Sequence, residues 1–116
     1  MEMKELQTKV IQFRDERDWS QYHNPKDLAI SLSLEAAELL EIFQWKNAEQ
    51  VEELRSDSDV IGKVKEELGD IFIYALTLAH EFGLNPSAIV LEKLKVNEEK
   101  YPADKVKGRA DKYTSY

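Results

Sequence analysis

The sequence predicts an all-α protein built as a bundle of four main helices. Apolar residues recur at helical spacing in four segments, and no segment alternates with period two for long enough to form a strand. Asn24-Pro25 and Asn85-Pro86 each place Pro at the first helical position after an N-cap residue, and Gly83 is placed to end a helix. The 116 residues are enough for one domain with a modest core.

The first half of the chain contains two of these helices. Met3, Leu6, Val10 and Phe13 lie on one helical face, which predicts a first helix over Met3–Arg17. A second helix is expected from Pro25 to about Trp45. The polar, acidic segment 46–59 is predicted to be a short helical turn plus a loop, with Ser58 or Asp59 as the next N-cap.

The third helix is predicted to extend to Phe82, and the fourth to run from Pro86 to Lys100, before Tyr101-Pro102. We therefore assign residues 1–102 to one domain and residues 103–116 to a basic C-terminal tail. Apolar residues surround nearly the whole third helix, and such a helix must be covered on every side. This predicts a homodimer or a dimer of dimers with the third helix central; the alternative is a compact monomer that covers this helix itself.

Composition excludes several classes of protein. The formal net charge of −7 argues against binding long nucleic acids, whose affinity depends on Lys and Arg neutralising phosphates. Cysteine is absent, which excludes disulfides, thiolate zinc sites and a Cys nucleophile. No apolar run approaches the ~20 residues of a membrane span, and residues 1–10 lack the apolar region of a signal peptide. We expect a cytoplasmic protein.

Two matching acidic motifs, Glu35-x-x-Glu38 and Glu67-x-x-Asp70, lie inside apolar helical patterns. Residues three apart share a helix face, and on the helical wheel apolar side chains fall within about 40° of both Glu35 and Glu67. A single motif of this kind is usually a solvated helix face. Because burying several unpaired carboxylates is very costly unless a cation neutralises them, the two motifs together predict a divalent-metal site between two helices.

The residue types at this site favour Mg²⁺, with Mn²⁺ as the second choice, because oxygen ligands suit these hard cations. A di-iron carboxylate bundle would need Glu-x-x-His pairs, and neither His23 nor His80 lies three residues after a Glu. Hard cations in enzymes commonly hold phosphate oxygens and activate water. The motifs therefore indicate a substrate that carries phosphates.

Further residues could complete a nucleotide site. Trp19 and Trp45 flank the second helix, and an aromatic pair can sandwich a base; the alternative is that both cap the bundle core. Tyr74 lies one turn beyond Asp70, and His23 could hydrogen-bond a base or sugar or simply lie at the surface. The fourth helix carries a polar stripe that could face phosphates or only solvent, formed by Lys93, Asn97 and Lys100.

Four blocks, in order and with compatible spacing, resemble the MazG-like nucleotide pyrophosphohydrolases, and the resemblance is greatest to the dCTP pyrophosphatase branch. The blocks are Arg17-Asp18-Trp19, the segment from Glu35 to Trp45, the segment from Glu66 to Tyr74, and the segment from Lys93 to Pro102. Many family members have a doubled Glu at the start of the first motif. Leu34 precedes Glu35 here, as in the dCTP pyrophosphatase-like branch. The segment from Lys107 to Thr114 is also similar to short bacterial members, in which we expect it to fold toward the substrate phosphates.

The resemblance implies an all-α enzyme that cleaves a deoxynucleoside triphosphate to the monophosphate and pyrophosphate with Mg²⁺, a house-cleaning activity on the nucleotide pool. It favours dCTP or a modified form, with dATP as a further candidate. It implies Glu35, Glu38, Glu67 and Asp70 as metal ligands and Trp19, His23, Trp45 and Tyr74 as base and sugar contacts. Lys93 and Asn97 match phosphate-side residues of the branch.

The mechanism expected from these assignments is metal-assisted hydrolysis of the α–β phosphoanhydride. Glu38 is the candidate general base that orients the attacking water, because it lies at the edge of the apolar face where water can reach it. Lys93 and Lys100 are expected to steady the phosphates. The alternative is a non-catalytic helical oligomerisation module that senses Mg²⁺ or a nucleotide.

Overall fold

A computed structural model of the chain describes residues 1–108, which form six helices and contain no strand, so the all-α prediction is confirmed. The four predicted helices correspond to α1, α2, α4 and α5, and two short helices accompany them. Their bounds are α1 Met3–Glu16, α2 Pro25–Glu41, α3 Ala48–Glu53, α4 Ser58–Glu81, α5 Pro86–Lys100 and α6 Ala103–Val106. Short 3₁₀ turns follow α1, at Ser20–Tyr22, and α3, at Leu54–Ser56.

Most of these helices are preceded by a residue whose side chain caps the first turn. Asn24 accepts a hydrogen bond from the Asp27 amide, and Asn85 accepts one from the Ala88 amide, as the two Asn-Pro pairs predict. The predicted N-cap of α4, Ser58 or Asp59, is wrong. Asp57 caps α4, because its extended backbone lets its carboxylate accept from the amides of residues 59 and 60. A capping Asp must precede the first helical residue, and Ser58 is already helical.

Some helix boundaries also differ from the prediction. α2 ends at Glu41, and the chain continues to Trp45 in tight turns in which the Phe43 amide donates to the Leu40 carbonyl. The first residues of the predicted tail form α6. The prediction that the tail folds toward the substrate phosphates concerns residues up to 114, and residues 109–116 lie outside the described part of the chain.

The helices pack around α4. α2 lies antiparallel along α4, α1 packs on α4, and the main contact of α5 is with α1. The apolar side chains that are fully enclosed among residues 1–108 are few: Ile11, Leu28, Leu76 and Ala79. Gln7 is also buried, and its amide donates to the Leu76 carbonyl at 3.0 Å, which ties α1 to α4. The core is therefore small, as one protomer of this length allows.

Much apolar surface remains uncovered on α4. Phe72 is 57% exposed and Ile73 is 45% exposed. The single protomer therefore leaves this helix only partly covered, which is the condition from which we predicted a homodimer or dimer of dimers. Within residues 1–108, no helix combines the length and the apolar character required to cross a membrane.

Candidate metal centre

The two acidic motifs meet where α2 and α4 pack against each other. One carboxylate oxygen from each of Glu35, Glu38 and Glu67 lies within 4.8 Å of the other two. Glu35 and Glu67 are half-buried, whereas Glu38 and Asp70 are exposed. The helical wheel predicted this difference, because it placed the leading residue of each motif closer to the apolar face. Three of the four predicted metal ligands are thus in mutual reach, and Asp70 lies one turn along α4 from Glu67.

The proximity of these acids changes their protonation. The pKa of Glu35 is raised from about 4.5 to about 7, first because its protonated carboxyl hydrogen-bonds Glu67, then through burial, and then through Glu38 and Asp70. The hydrogen bond with Glu35 lowers the pKa of Glu67, but burial and the charges of Glu38 and Asp70 outweigh it, so this pKa is also raised. Glu35 therefore keeps its proton at a higher pH than an isolated Glu does.

A hard divalent cation fits this donor set. Glu67 Oε2 is buried and has no hydrogen-bond partner, although buried carboxylate oxygens almost always have one. Converging carboxylate oxygens with no nitrogen or sulfur donor within the cluster are the ligands that Mg²⁺ and Mn²⁺ prefer. Glu35, Glu38 and Glu67 can hold such an ion, and its charge would replace the proton on Glu35.

Two adjoining depressions extend from the carboxylates toward the end of α2. The first, which we call the acidic groove, has a volume of about 430 Å³ and is lined by Glu38, Glu41, Ile42, Lys63 and Glu67. The second, the tryptophan pocket, has a volume of about 350 Å³, and its lining includes Trp45, Lys46, Asp57 and Val60. Glu41, Ile42 and Lys63 line both, so the two are continuous.

The predicted base-binding tryptophans lie at different places. Trp45 is 88% exposed beside the tryptophan pocket, close to the carboxylates. Trp19 is 44% exposed beyond the end of α1, where its ring meets the edge of Phe13 at a centroid distance of 5.8 Å. At this exposure Trp45 does not cap the core, which was the alternative to base stacking, whereas Trp19 packs against Phe13. The structure does not bring the two tryptophans together.

His23 lies near the C-terminal end of α4. Burial and the nearby Arg14 charge lower its pKa, which Glu81 partly opposes, and its Nδ1 is buried without a hydrogen-bond partner. Glu81 follows Glu67 by fourteen residues on one helix, which corresponds to about 21 Å along the axis. His23 is therefore remote from the carboxylates of its own protomer.

The remaining predicted residues are also divided between locations. Tyr74 is half-buried on α4, one turn beyond Asp70, as predicted. The stripe of Lys93, Asn97 and Lys100 lies on α5, which packs mainly on α1 rather than beside the carboxylates. One protomer thus assembles the carboxylates and Trp45 but not the α5 stripe.

Sequence reasoning missed Lys63, which lines both the acidic groove and the tryptophan pocket. The signal for Lys63 was its position four residues before Glu67, which places both side chains on one helix face. The spacing alone did not indicate a role for Lys63, because it does not show that α2 packs against this face of α4.

Comparisons with known proteins agree with this geometry. The sequence profile of the MazG-like family matches residues 30–115. The chain is 38% identical over 103 residues to dCTP pyrophosphatase 1 of Bos taurus and 35% identical over 103 residues to that of Homo sapiens. These matches cover 89% of this chain and 61% of each relative, so the chain spans about three fifths of the length of these curated relatives.

A solved structure is also similar along almost its whole length. The crystal structure of a pyrophosphatase from Archaeoglobus fulgidus DSM 4304 superposes with a TM-score of 0.76 at 46% sequence identity. The match covers 86% of this chain and 92% of that chain. The two proteins therefore share much of their sequence as well as the arrangement of their helices.

Proposed function

Because the chain belongs to the MazG-like family, we propose that it hydrolyses a deoxynucleoside triphosphate to the monophosphate and pyrophosphate with Mg²⁺ or Mn²⁺. The observation that carries this proposal is the cluster of Glu35, Glu38 and Glu67 oxygens at the head of a groove that ends at an exposed tryptophan. The relatives named dCTP pyrophosphatase favour dCTP as the substrate. A modified form of dCTP and dATP are the further candidates in this proposal.

The residues of the site divide the chemistry among them. Glu35, Glu38 and Glu67 would hold the cation, and Asp70, one turn along α4, would be a further ligand. A divalent cation bound there supplies positive charge to the phosphate oxygens. Glu38 is exposed at the groove and accepts a proton from the attacking water. Trp45 stacks against the base and, together with the metal ligands, fixes the α-phosphorus in position for attack.

A second copy of the chain completes the pocket in this proposal. Trp19 and His23 lie near Arg14 and Glu81, away from the carboxylates of their own protomer, and α5, which carries the stripe, packs mainly on α1. Their roles in binding base, sugar and phosphates therefore require that a neighbouring protomer bring these segments to the groove. The large exposed apolar surface on α4 supports such an assembly.

The test is pyrophosphate release from the eight common nucleoside triphosphates with Mg²⁺ present. We expect one deoxynucleotide to be preferred, and we expect Glu38→Gln to lower kcat/KM by about 100-fold, because a ligand and the proton acceptor are lost together. The matched control is Glu66→Gln, because Glu66 is an exposed residue on α4, beside Glu67, that does not belong to the cluster.

Two outcomes would contradict parts of this proposal. If no nucleotide releases pyrophosphate under any metal condition, the chain is a non-catalytic module that senses Mg²⁺ or a nucleotide. If release occurs and Glu38→Gln matches the Glu66→Gln control, the chain is an enzyme whose site lies elsewhere.

A further inference from the structure

Lys63 occupies the junction between the acidic groove and the tryptophan pocket. It lies one turn before Glu67 on α4, and the linings of both depressions include it. The rest of the acidic groove is formed by three glutamates and Ile42, and Lys46 lines only the tryptophan pocket. Lys63 is thus the cation that borders both the carboxylate cluster and the tryptophan.

The ammonium group of Lys63 is not committed to a carboxylate. Lys63 is exposed, and within residues 1–108 no carboxylate oxygen lies within 4.0 Å of its nitrogen. A Lys four residues before a Glu on a helix can pair with it, and here it does not pair with Glu67. The positive charge is therefore available to an anion that enters the groove.

We propose that Lys63 binds the α-phosphate of the nucleotide, an inference that rests on the proposed function. The order of groups along the groove supports this choice. With the base at Trp45 and the outer phosphates at the carboxylate-bound metal, the first phosphate after the sugar lies at the junction. Lysine is a common point-charge partner for phosphate, and this contact also offsets the repulsion between the phosphate and the glutamates.

The choice of the α-phosphate makes the proposal specific. A nucleoside monophosphate keeps the α-phosphate but lacks the β- and γ-phosphates, and a nucleoside lacks all three. A lysine that contacts the α-phosphate must therefore contribute equally to the binding of the triphosphate and the monophosphate, and not at all to the binding of the nucleoside. A lysine that contacts the outer phosphates contributes only to binding of the triphosphate.

The experiment is calorimetric titration of the full chain, in Mg²⁺, with three ligands that carry the base of the best substrate. The ligands are the nucleoside, its monophosphate and a non-hydrolysable α,β-methylene triphosphate. We expect Lys63→Met to weaken the binding of both phosphorylated ligands by about tenfold and to change the affinity for the nucleoside by no more than about twofold. Lys63→Arg should restore most of the lost affinity because it keeps the charge.

The matched control is Lys65→Met, because Lys65 is an exposed lysine on α4 that lines a different, apolar cavity. It should leave all three affinities unchanged. Three results for Lys63→Met would overturn the assignment. They are a loss of affinity for the triphosphate alone, no change in any of the three affinities, and weaker binding of Mg²⁺ in the absence of nucleotide. If the wild-type protein neither binds nor hydrolyses any nucleotide, the proposed function itself fails, and this result differs from a failure of Lys63 alone.

Discussion

Glu35 and Glu67 have no positively charged partner within ion-pairing distance among residues 1–108. Glu81, another acid with a partly buried side chain, does have such a partner, because it accepts a hydrogen bond from the buried guanidinium of Arg14. A carboxylate removed from water needs such a partner, and breaking a buried pair by removing one member is strongly destabilising. At the scale of single residues, the lack of such a partner among residues 1–108 supports the proposed metal site.

The raised pKa of Glu35 predicts a pH dependence of the metal-free protein. The folded state keeps a proton that the unfolded chain releases near pH 4.5, and it loses this proton only near pH 7. The stabilisation is therefore present below about pH 4.5 and is lost as the pH rises toward 7. We expect the Tm in EDTA to fall across this window, measured by circular dichroism at several pH values.

The control for this prediction is Glu35→Gln, which lacks the ionisable group. If Glu35 is not the group responsible, the difference in Tm between the wild-type protein and the variant should be the same at every pH. Saturating Mg²⁺ should also flatten the wild-type profile, because the cation replaces the proton. A wild-type Tm in EDTA that rises with pH relative to the variant would contradict the assignment.

At the scale of secondary-structure elements, α1 and α4 end in the same way. Asp18, with φ +55°, and Gly83, with φ +65°, adopt the left-handed conformation. The amides that follow return to the last helical turn, Trp19 to the Arg14 carbonyl and Leu84 to the Ala79 carbonyl. This is the Schellman motif, which commonly brings the residue after the cap against the helix. It accounts for the contact of Trp19 with Phe13, and so for where this tryptophan is presented.

The backbone conformation predicts opposite effects for two Gly→Ala substitutions, at Gly62 inside α4 and at Gly83 just after it. Gly83→Ala should lower the free energy of unfolding by about 1 kcal/mol, because an L-residue is strained at positive φ. Gly62→Ala should raise it by about 0.5–1 kcal/mol, because this position is helical and a Cβ there meets no atom within 4 Å. Urea unfolding at one fixed protein concentration measures both, and equal effects of the same sign would contradict this explanation.

At the scale of the whole molecule, the protomer is open. Its accessible surface is 9023 Å² for a mass of 13.5 kDa, against about 6,500 Å² expected of a compact monomer of this size. The radius of gyration is 17.6 Å, compared with about 13 Å for a compact domain of this length. Ile61, Leu68 and Phe72 form an exposed apolar stripe along α4. These values favour a second copy over a compact monomer.

We therefore predict that Phe72→Glu disrupts self-association. The wild-type protein should show a mass of at least twice 13.5 kDa by light scattering, and the variant should shift toward the monomer with a Tm lowered by several degrees. Gln12→Glu, at an exposed polar position on α1, is the control and should leave the mass unchanged. If the wild-type protein is a monomer at micromolar concentration, the apolar stripe is not a dimer interface and the proposed pocket between protomers is wrong.

Local patterns in the sequence were sufficient to predict the four main helices and the acidic residues that could bind a metal. Asn24-Pro25 and Asn85-Pro86 predicted where α2 and α5 begin, because the capping interaction involves only neighbouring residues. Glu35 and Glu67 were assigned to the buried side because a helix fixes the angle between them and their apolar neighbours. The Asp57 cap of α4 was missed because Asp57, Ser58 and Asp59 are all good capping residues, and only the backbone conformation distinguishes them.

The tertiary structure decided what no local pattern contains. The antiparallel packing of α2 on α4 brings Glu38 to Glu67, makes Lys63 part of the groove and leaves His23 near Glu81 at the C-terminal end of α4, away from the carboxylates. The sequence by itself determined which residues could act, because helical periodicity and capping are short-range. Which of them act together depends on contacts between residues far apart in the chain, and these arise only when the helices pack.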